Sequence, residues 1–142
     1  MKSYFQRVIG LEEHFSAPDK IVRNYKSASA FSYSEAPEFS KRLADVGASR
    51  ISEMDEAGIS MQVLSLTAPG TEQMNPDEAI RFSREVNDYI AESIKNYPER
   101  FAAFAALPTP NPEKAAEELE RAVKQYGFKG AVINGHSRGK YL

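Results

Sequence analysis

The apolar positions along the chain change period in a regular order. Residues 7–11, with Val8, Ile9 and Leu11, form a short apolar run ending in charge, which predicts a buried first strand. From Ser16 to about Asp45 the pattern dissolves into Ser, Ala, Pro and aromatics, and a pattern-poor stretch of this length is expected to serve as a lid-like insertion. Ala48, Ile51, Met54 and Ala57 then share a helical face, and Gly58 stands where a left-handed helix stop is expected. Gln62-Val63-Leu64-Ser65-Leu66 predicts a second strand. Asn75 as N-cap, Pro76 at the first helical position and acidic Asp77 and Glu78 open a helix carrying Ala79, Phe82, Val86 and Ile90 inward, with Pro98 as its limit. The apolar run 101–107 predicts a third strand, stopped by Pro108. Asn111, Pro112 and Glu113 repeat the start signal for a helix with Leu119 and Ala122 inward and Gly127 as stop. Gly130-Ala131-Val132-Ile133-Asn134 predicts a fourth strand.

Strands alternating with helices, the strands apolar on both faces, predict an α/β fold with a parallel sheet. An open doubly wound sheet and part of a (β/α)8 barrel both fit. The doubly wound sheet usually carries a Gly-rich first βα turn. Here that position reads Glu12-Glu13-His14-Phe15-Ser16, which would repel phosphate. Acidic and imidazole groups at the C-terminal end of a strand suit a barrel mouth, so the barrel is the expectation, as one partial domain over residues 1–142.

Composition narrows the function classes. The 142 residues are 42% hydrophobic and 27% charged, as in ordinary globular domains. A net charge of −2 gives no basic footprint for nucleic acid. The absence of cysteine removes disulfides, thiolate metal sites and cysteine nucleophiles. No apolar run approaches a membrane span, and the first seven residues lack the apolar core of a signal peptide, so neither a membrane partner nor export is expected and the cytoplasm is the default. There is no Gly-x-Ser-x-Gly elbow, P-loop or dinucleotide fingerprint.

The chemistry concentrates at strand ends. Side chains alternate along a strand, so Glu12 and His14 share a face while Glu13 points the other way. A carboxylate and an imidazole side by side offer two arms of a divalent metal site, with Zn²⁺ suited to the N/O mixture and Mn²⁺ admitted by the lack of sulfur. The alternative is a strand turning polar as it runs into solvent. A catalytic site needs a third protein ligand. His136, the only other histidine, follows the fourth strand in a Gly-flanked loop, where substrate contact or a surface role competes with ligation. Thr67 and Ala68 follow the second strand, where small polar groups suit substrate contact or a turn cap. Pro108 offers a stiff apolar wall for a ring, and Arg138 and Lys140 offer cations for a carboxylate, or a solvated tail.

Leu11-Glu12-Glu13-His14-Phe15 resembles the opening of the decarboxylase branch of the amidohydrolase superfamily, which includes gamma-resorcylate, 2,3-dihydroxybenzoate and aminocarboxymuconate semialdehyde decarboxylases. The similarity continues through residues 50–59 and 64–69, is strongest over 98–108, and runs on through 127–135. The resemblance implies the N-terminal half of a (β/α)8 barrel, four βα-type units ending after strand four, in which Glu12 and His14 match the strand-one metal pair. It implies a divalent metal, Zn²⁺ or Mn²⁺, and a non-oxidative decarboxylation of hydroxylated aromatic or related unsaturated acids. Residues 15–33 would cover the substrate ring, and Phe15, Thr67, Ala68, Pro108, Asn134 and His136 would contact the small-molecule carboxylic acid. Nothing in residues 1–142 matches the family's strand-five histidine, late aspartate or further catalytic histidine, and the truncated chain is expected to be inactive alone and to associate as a homo-oligomer. The alternatives are a metal-dependent hydrolase on the same scaffold, or an inactive half-barrel serving as an assembly module.

Overall fold

A computed structural model describes residues 7–31 and 36–141. Its centre is a parallel sheet of three strands in sequence order, β1 (Ile9–Phe15), β2 (Met61–Leu66) and β3 (Phe101–Ala103). Between β1 and β2 run the short helix α1 (Asp19–Val22), a 3-10 turn (Lys26–Phe31), α2 (Pro37–Ala44) and α3 (Ala48–Glu56). Helix α4 (Pro76–Ile94) joins β2 to β3, and α5 (Pro112–Tyr126) follows β3. Sequential order with β1 at an edge does not fit the doubly wound alternative, which would place the first strand between the second and third.

Two expectations change. The first strand closes not with the expected Glu12, Glu13 and His14 but one residue on, at Phe15, because parallel pairing to β2 continues to Leu66. It is also not buried on both faces, since Ile9 and Leu11 are 43% and 59% exposed. The fourth predicted strand is a single parallel bridge, Ala131 to Ala105, alongside β3. Its chain bonds β3 through Lys129 N–H to Ala103 O (2.9 Å) and through Gly130 O from Ala105 N–H (2.8 Å). Gly130 and Gly135 at φ 142° and 123° interrupt extended geometry on either side, and no described strand pairs beyond it.

The helix signals are realised where capping chemistry dictated them. Asn75 accepts from Asp77 N–H and Asn111 from Lys114 N–H, each followed by proline at the first helical position. Gly127 closes α5 at φ 71°, the left-handed conformation that lacks a Cβ penalty only in glycine. Phe82, Val86 and Ile90 of α4 lie on one stripe and are fully buried against Leu64, Leu66, Phe101 and Ala103 of the sheet. Asn87 joins the layers: its Nδ2 donates to Ala106 O (2.9 Å) and Glu118 (2.8 Å), and its Oδ1 accepts from Ala106 N–H (2.9 Å). Arg121 completes the network on Glu118 (2.6 Å) and Asp88 (2.7 Å), and its partner carboxylates, Glu118 first, hold its proton more tightly than usual.

The pattern-poor stretch is fixed to α4 over its first part. Ile21, Tyr25 and Ala28 are buried in the same core, with Tyr25 edge-on to Phe82. Tyr25 donates to Glu85 (2.6 Å), while the Ser27 hydroxyl and the Lys26 and Ser27 amides donate to Glu78. Among the described residues no helix is long and apolar enough to cross a membrane.

Candidate functional site

The strand register decides which side chains meet. Gly10 pairs with Gln62 and Glu13 with Leu64, so Leu11 and Glu12 together stand opposite the single residue Val63. This bulge puts Gly10 and Glu13 on one face, as a Cβ built on Gly10 would lie 2.6 Å from Glu13 Oε1. Counting back by alternation from Phe15, whose ring is in the helix-side core, His14 faces away from the helices, Glu13 toward them and Glu12 away again. Glu13 accepts from Gln62 (3.3 Å) on the helix side. Glu12 and His14 therefore share the open face of the sheet.

His14 is held at two points. Its Nδ1 lies 2.9 Å from Ser65 Oγ, directly across in register, and its carbonyl accepts from Arg50 (2.9 Å). Arg50 also reaches Gln62 Oε1 and the carbonyl of Arg42. Burial lowers the pKa of its guanidinium, against the pull of Asp45 and Glu13. The His14 ring is thus oriented by one neighbour on the same face, leaving Nε2 as its outward nitrogen.

The loops after β2, β3 and the Ala131 bridge meet one another. Thr67 is buried, with its amide on Phe15 O (2.9 Å), and Ala68, exposed, precedes Pro69 through a cis peptide. Asn134 donates from its backbone N–H (2.8 Å) and Nδ2 (3.4 Å) to Glu72 Oε1. His136 is exposed, its ring beside Tyr141 and its carbonyl accepting from Gln73 (2.9 Å). Thr109 meets Ser137 (3.2 Å), which in turn donates to Glu72 O (3.2 Å).

Not every expected contact is brought to this face. The Phe15 ring is 1% exposed and packs toward Tyr89, on the side opposite His14, because strand parity sends it into the core. Pro108 is fully buried, so it presents no wall to the mouth. His136 does not gather with Glu12 and His14: among the described residues no group of three or more His, Cys, Asp or Glu could hold a metal ion. Arg138 and Lys140 are exposed. One residue gains a new place in three dimensions and another stands out only there. Ser65, one of the small polar groups at the end of β2 that suit substrate contact, takes its place opposite His14 from the register. Glu72 follows a turn, where a carboxylate ordinarily reads as solvated, and the sequence carries no signal that it is buried.

The amidohydrolase family profile matches residues 14–142. The chain is 42% identical over 131 residues to a gamma-resorcylate decarboxylase of Polaromonas sp., covering 92% of this chain and 39% of that one. It is 41% identical to the enzyme of the same name from Rhizobium sp., covering 94% and 40%. Among solved structures, a dihydroxybenzoic acid decarboxylase from Polaromonas sp. with bound manganese and the inhibitor 2-nitroresorcinol superposes with TM-score 0.79 at 41% identity, covering 92% of this chain and 39% of that one. A 5-carboxyvanillate decarboxylase from Novosphingobium aromaticivorans, also with manganese, superposes with TM-score 0.84 at 30% identity, covering 98% and 45%. The chain spans about two-fifths of the length of the curated relatives it matches. With a parallel sheet in sequence order, a carboxylate–imidazole pair on its open face and a family match from His14 onward, this chain belongs to the amidohydrolase family, among relatives that are decarboxylases.

Proposed function

We propose that this chain carries part of the active site of a divalent-metal-dependent, non-oxidative decarboxylase of hydroxylated aromatic carboxylic acids, on a (β/α)8 barrel of which β1 to β3 and the Ala131 bridge form one arc. The observation that carries the reading is His14, seated beside Glu12 on the open face with Nδ1 engaged by Ser65 at 2.9 Å. A metal-binding histidine characteristically donates its second ring nitrogen to a neighbouring oxygen, which fixes tautomer and orientation. The donor set fits a hard or borderline divalent ion, with Glu12 supplying oxygen and His14 Nε2 supplying nitrogen. Manganese stands ahead of zinc because two similar decarboxylases hold manganese.

When bound, the ion would supply Lewis-acid stabilisation of anionic oxygens on the substrate. The remaining work belongs to the chain. Glu12 and His14 would hold the ion, and Ser65 orients the imidazole. Asn134 and His136 line the substrate side of the mouth, with Thr67 and Ala68 closing it after β2. Glu13, turned to Gln62, takes no part. Substrates of the gamma-resorcylate and dihydroxybenzoate class follow from the relatives' activities, since the fold alone leaves the reaction class open.

The test is metal content and CO₂ release from dihydroxybenzoates, measured on the native protein with Mn²⁺ or Zn²⁺. Glu12→Gln and His14→Ala should each strip the metal and the activity, while Glu13→Gln keeps both. Full metal occupancy by elemental analysis in the first two variants would remove the assignment. Hydrolysis of amide substrates without CO₂ release would move the protein to the hydrolase class.

A further inference from the structure

Glu72 lies in the loop after β2 and is only 4% exposed. Its Oε1 accepts both donors of Asn134, and its main-chain oxygen accepts from Arg138 N–H (3.1 Å) and the Ser137 hydroxyl (3.2 Å). Its Oε2 has no partner, and among the described residues it is the one buried side-chain nitrogen or oxygen of which this is true. The backbone makes room for this carboxylate at Gly70. A Cβ there would lie 2.1 Å from Oε2 and 2.6 Å from Asn134 Nδ2, and its φ of 64° also favours glycine. Burying a carboxylate oxygen without a partner is costly, so such an atom calls for a donor.

The donor borders the same space. A cavity of about 10 Å³ is lined by Ser65, Gly70, Thr71, Glu72 and Asn134, large enough for one water. Thr71 already donates to Leu107 O. Ser65 does not have its hydrogen committed once His14 gives Nε2 to a metal: Nδ1 then carries a proton and donates to Ser65 Oγ, and the hydroxyl hydrogen of Ser65 needs an acceptor. With His14 on a metal, the Ser65 hydroxyl hydrogen and Glu72 Oε2 would both lack partners, and both residues line a cavity of single-water size.

We infer that Glu72 is a positioning residue for His14, acting through one buried water in a chain that runs from His14 Nδ1–H to Ser65 Oγ–H, to the water, to Glu72 Oε2. This rests on the metal reading of Glu12 and His14. Through Oε1 the same carboxylate fixes Asn134, so one side chain sets both the metal side and the substrate side of the mouth. Glu72→Gln separates the two roles, because the amide oxygen still accepts from Asn134 while the NH₂ group cannot accept at the cavity.

The experiment is a double-mutant cycle on metal affinity, read by chelator competition with Mn²⁺ on the native protein, together with a high-resolution structure. Partners one step beyond a metal ligand typically alter affinity by about 10- to 100-fold. Ser65→Ala should weaken binding about 10-fold and Glu72→Gln several-fold, with the double variant no weaker than Ser65→Ala. Independent, multiplicative losses, or no loss in Glu72→Gln, would overturn the inference. Wild-type density should show a water within hydrogen-bond distance of both Ser65 Oγ and Glu72 Oε2, and an empty cavity overturns it even if a variant fails to fold. If His14→Ala binds metal as tightly as wild type, the metal reading itself falls. The water density then judges the Ser65–Glu72 link alone.

Discussion

On the helix-covered side of the sheet, Leu64, Phe82, Val86 and Ile90 are sealed from solvent, and the buried polar groups are paired: Asn87 with Ala106 and Glu118, Glu118 with Arg121. On the opposite side Leu11 is 59% exposed, His14 is half-buried, and Glu72 keeps one carboxylate oxygen without a partner. The two sides belong to the same strands and differ by one step of alternation. Closed packing and full hydrogen bonding stabilise a fold, whereas unspent donors and acceptors are what a ligand needs. The comparison places stability on one face and chemistry on the other.

The comparison can be broken by substitution. Phe82→Ala should cost about 3–5 kcal/mol in denaturant unfolding of the metal-free protein, while Glu12→Gln on the open side should stay within about 0.5 kcal/mol. Equal losses of stability would remove the division between the two faces. Asn87→Leu keeps volume but strands the Ala106 amide and carbonyl, and should cost about 1–3 kcal/mol. Gly127→Ala, which forces a Cβ into the left-handed region, should cost about 1–2 kcal/mol with no change in metal content. The smallest effect sharpens the account of residues 16–28. Burial and the hydrogen bond to Glu85 push Tyr25 up to about 12 from 10.0. Because the folded value is raised, its stabilising contribution is complete below pH ~10 and is lost as pH rises through the folded value. Spectrophotometric titration should find Tyr25 among the late-ionising tyrosines, and Glu85→Gln should bring it back toward 10.

How much of this was legible in the sequence depended on whether the deciding physics was local. Helices α4 and α5 were readable because capping, proline placement and apolar spacing are properties of neighbouring residues. The strand positions were readable too, with Glu12-Glu13-His14 at the end of β1, but not every length: the run after Gly130 stays a single bridge because its pairing depends on what lies beside it. The shared face of Glu12 and His14 followed from alternation alone. The burial of Phe15 on the other face followed from the same rule, yet its neighbourhood to His14 in sequence suggested a shared site. Glu72 was beyond reach, because a loop carboxylate gives no local sign of burial, and Ser65 was legible only as a small polar group near the mouth, its place opposite His14 coming from the register.

The bulge at Leu11 and Glu12 has a consequence for changes in chain length. A deletion inside a paired strand normally turns every later side chain to the wrong face. Here two residues already oppose one, so losing Leu11 would restore an even ladder, with Gly10 toward the helices, Glu12 and His14 on the open face, and Phe15 still in the core. Losing Glu13 would remove the residue that separates them and reverse either Glu12 or His14. The strand therefore carries one spare position. Shortening by a residue is tolerable on one side of Glu12 and ruinous on the other, and a library of single-residue deletions across 9–15 should show that asymmetry in which members still bind metal.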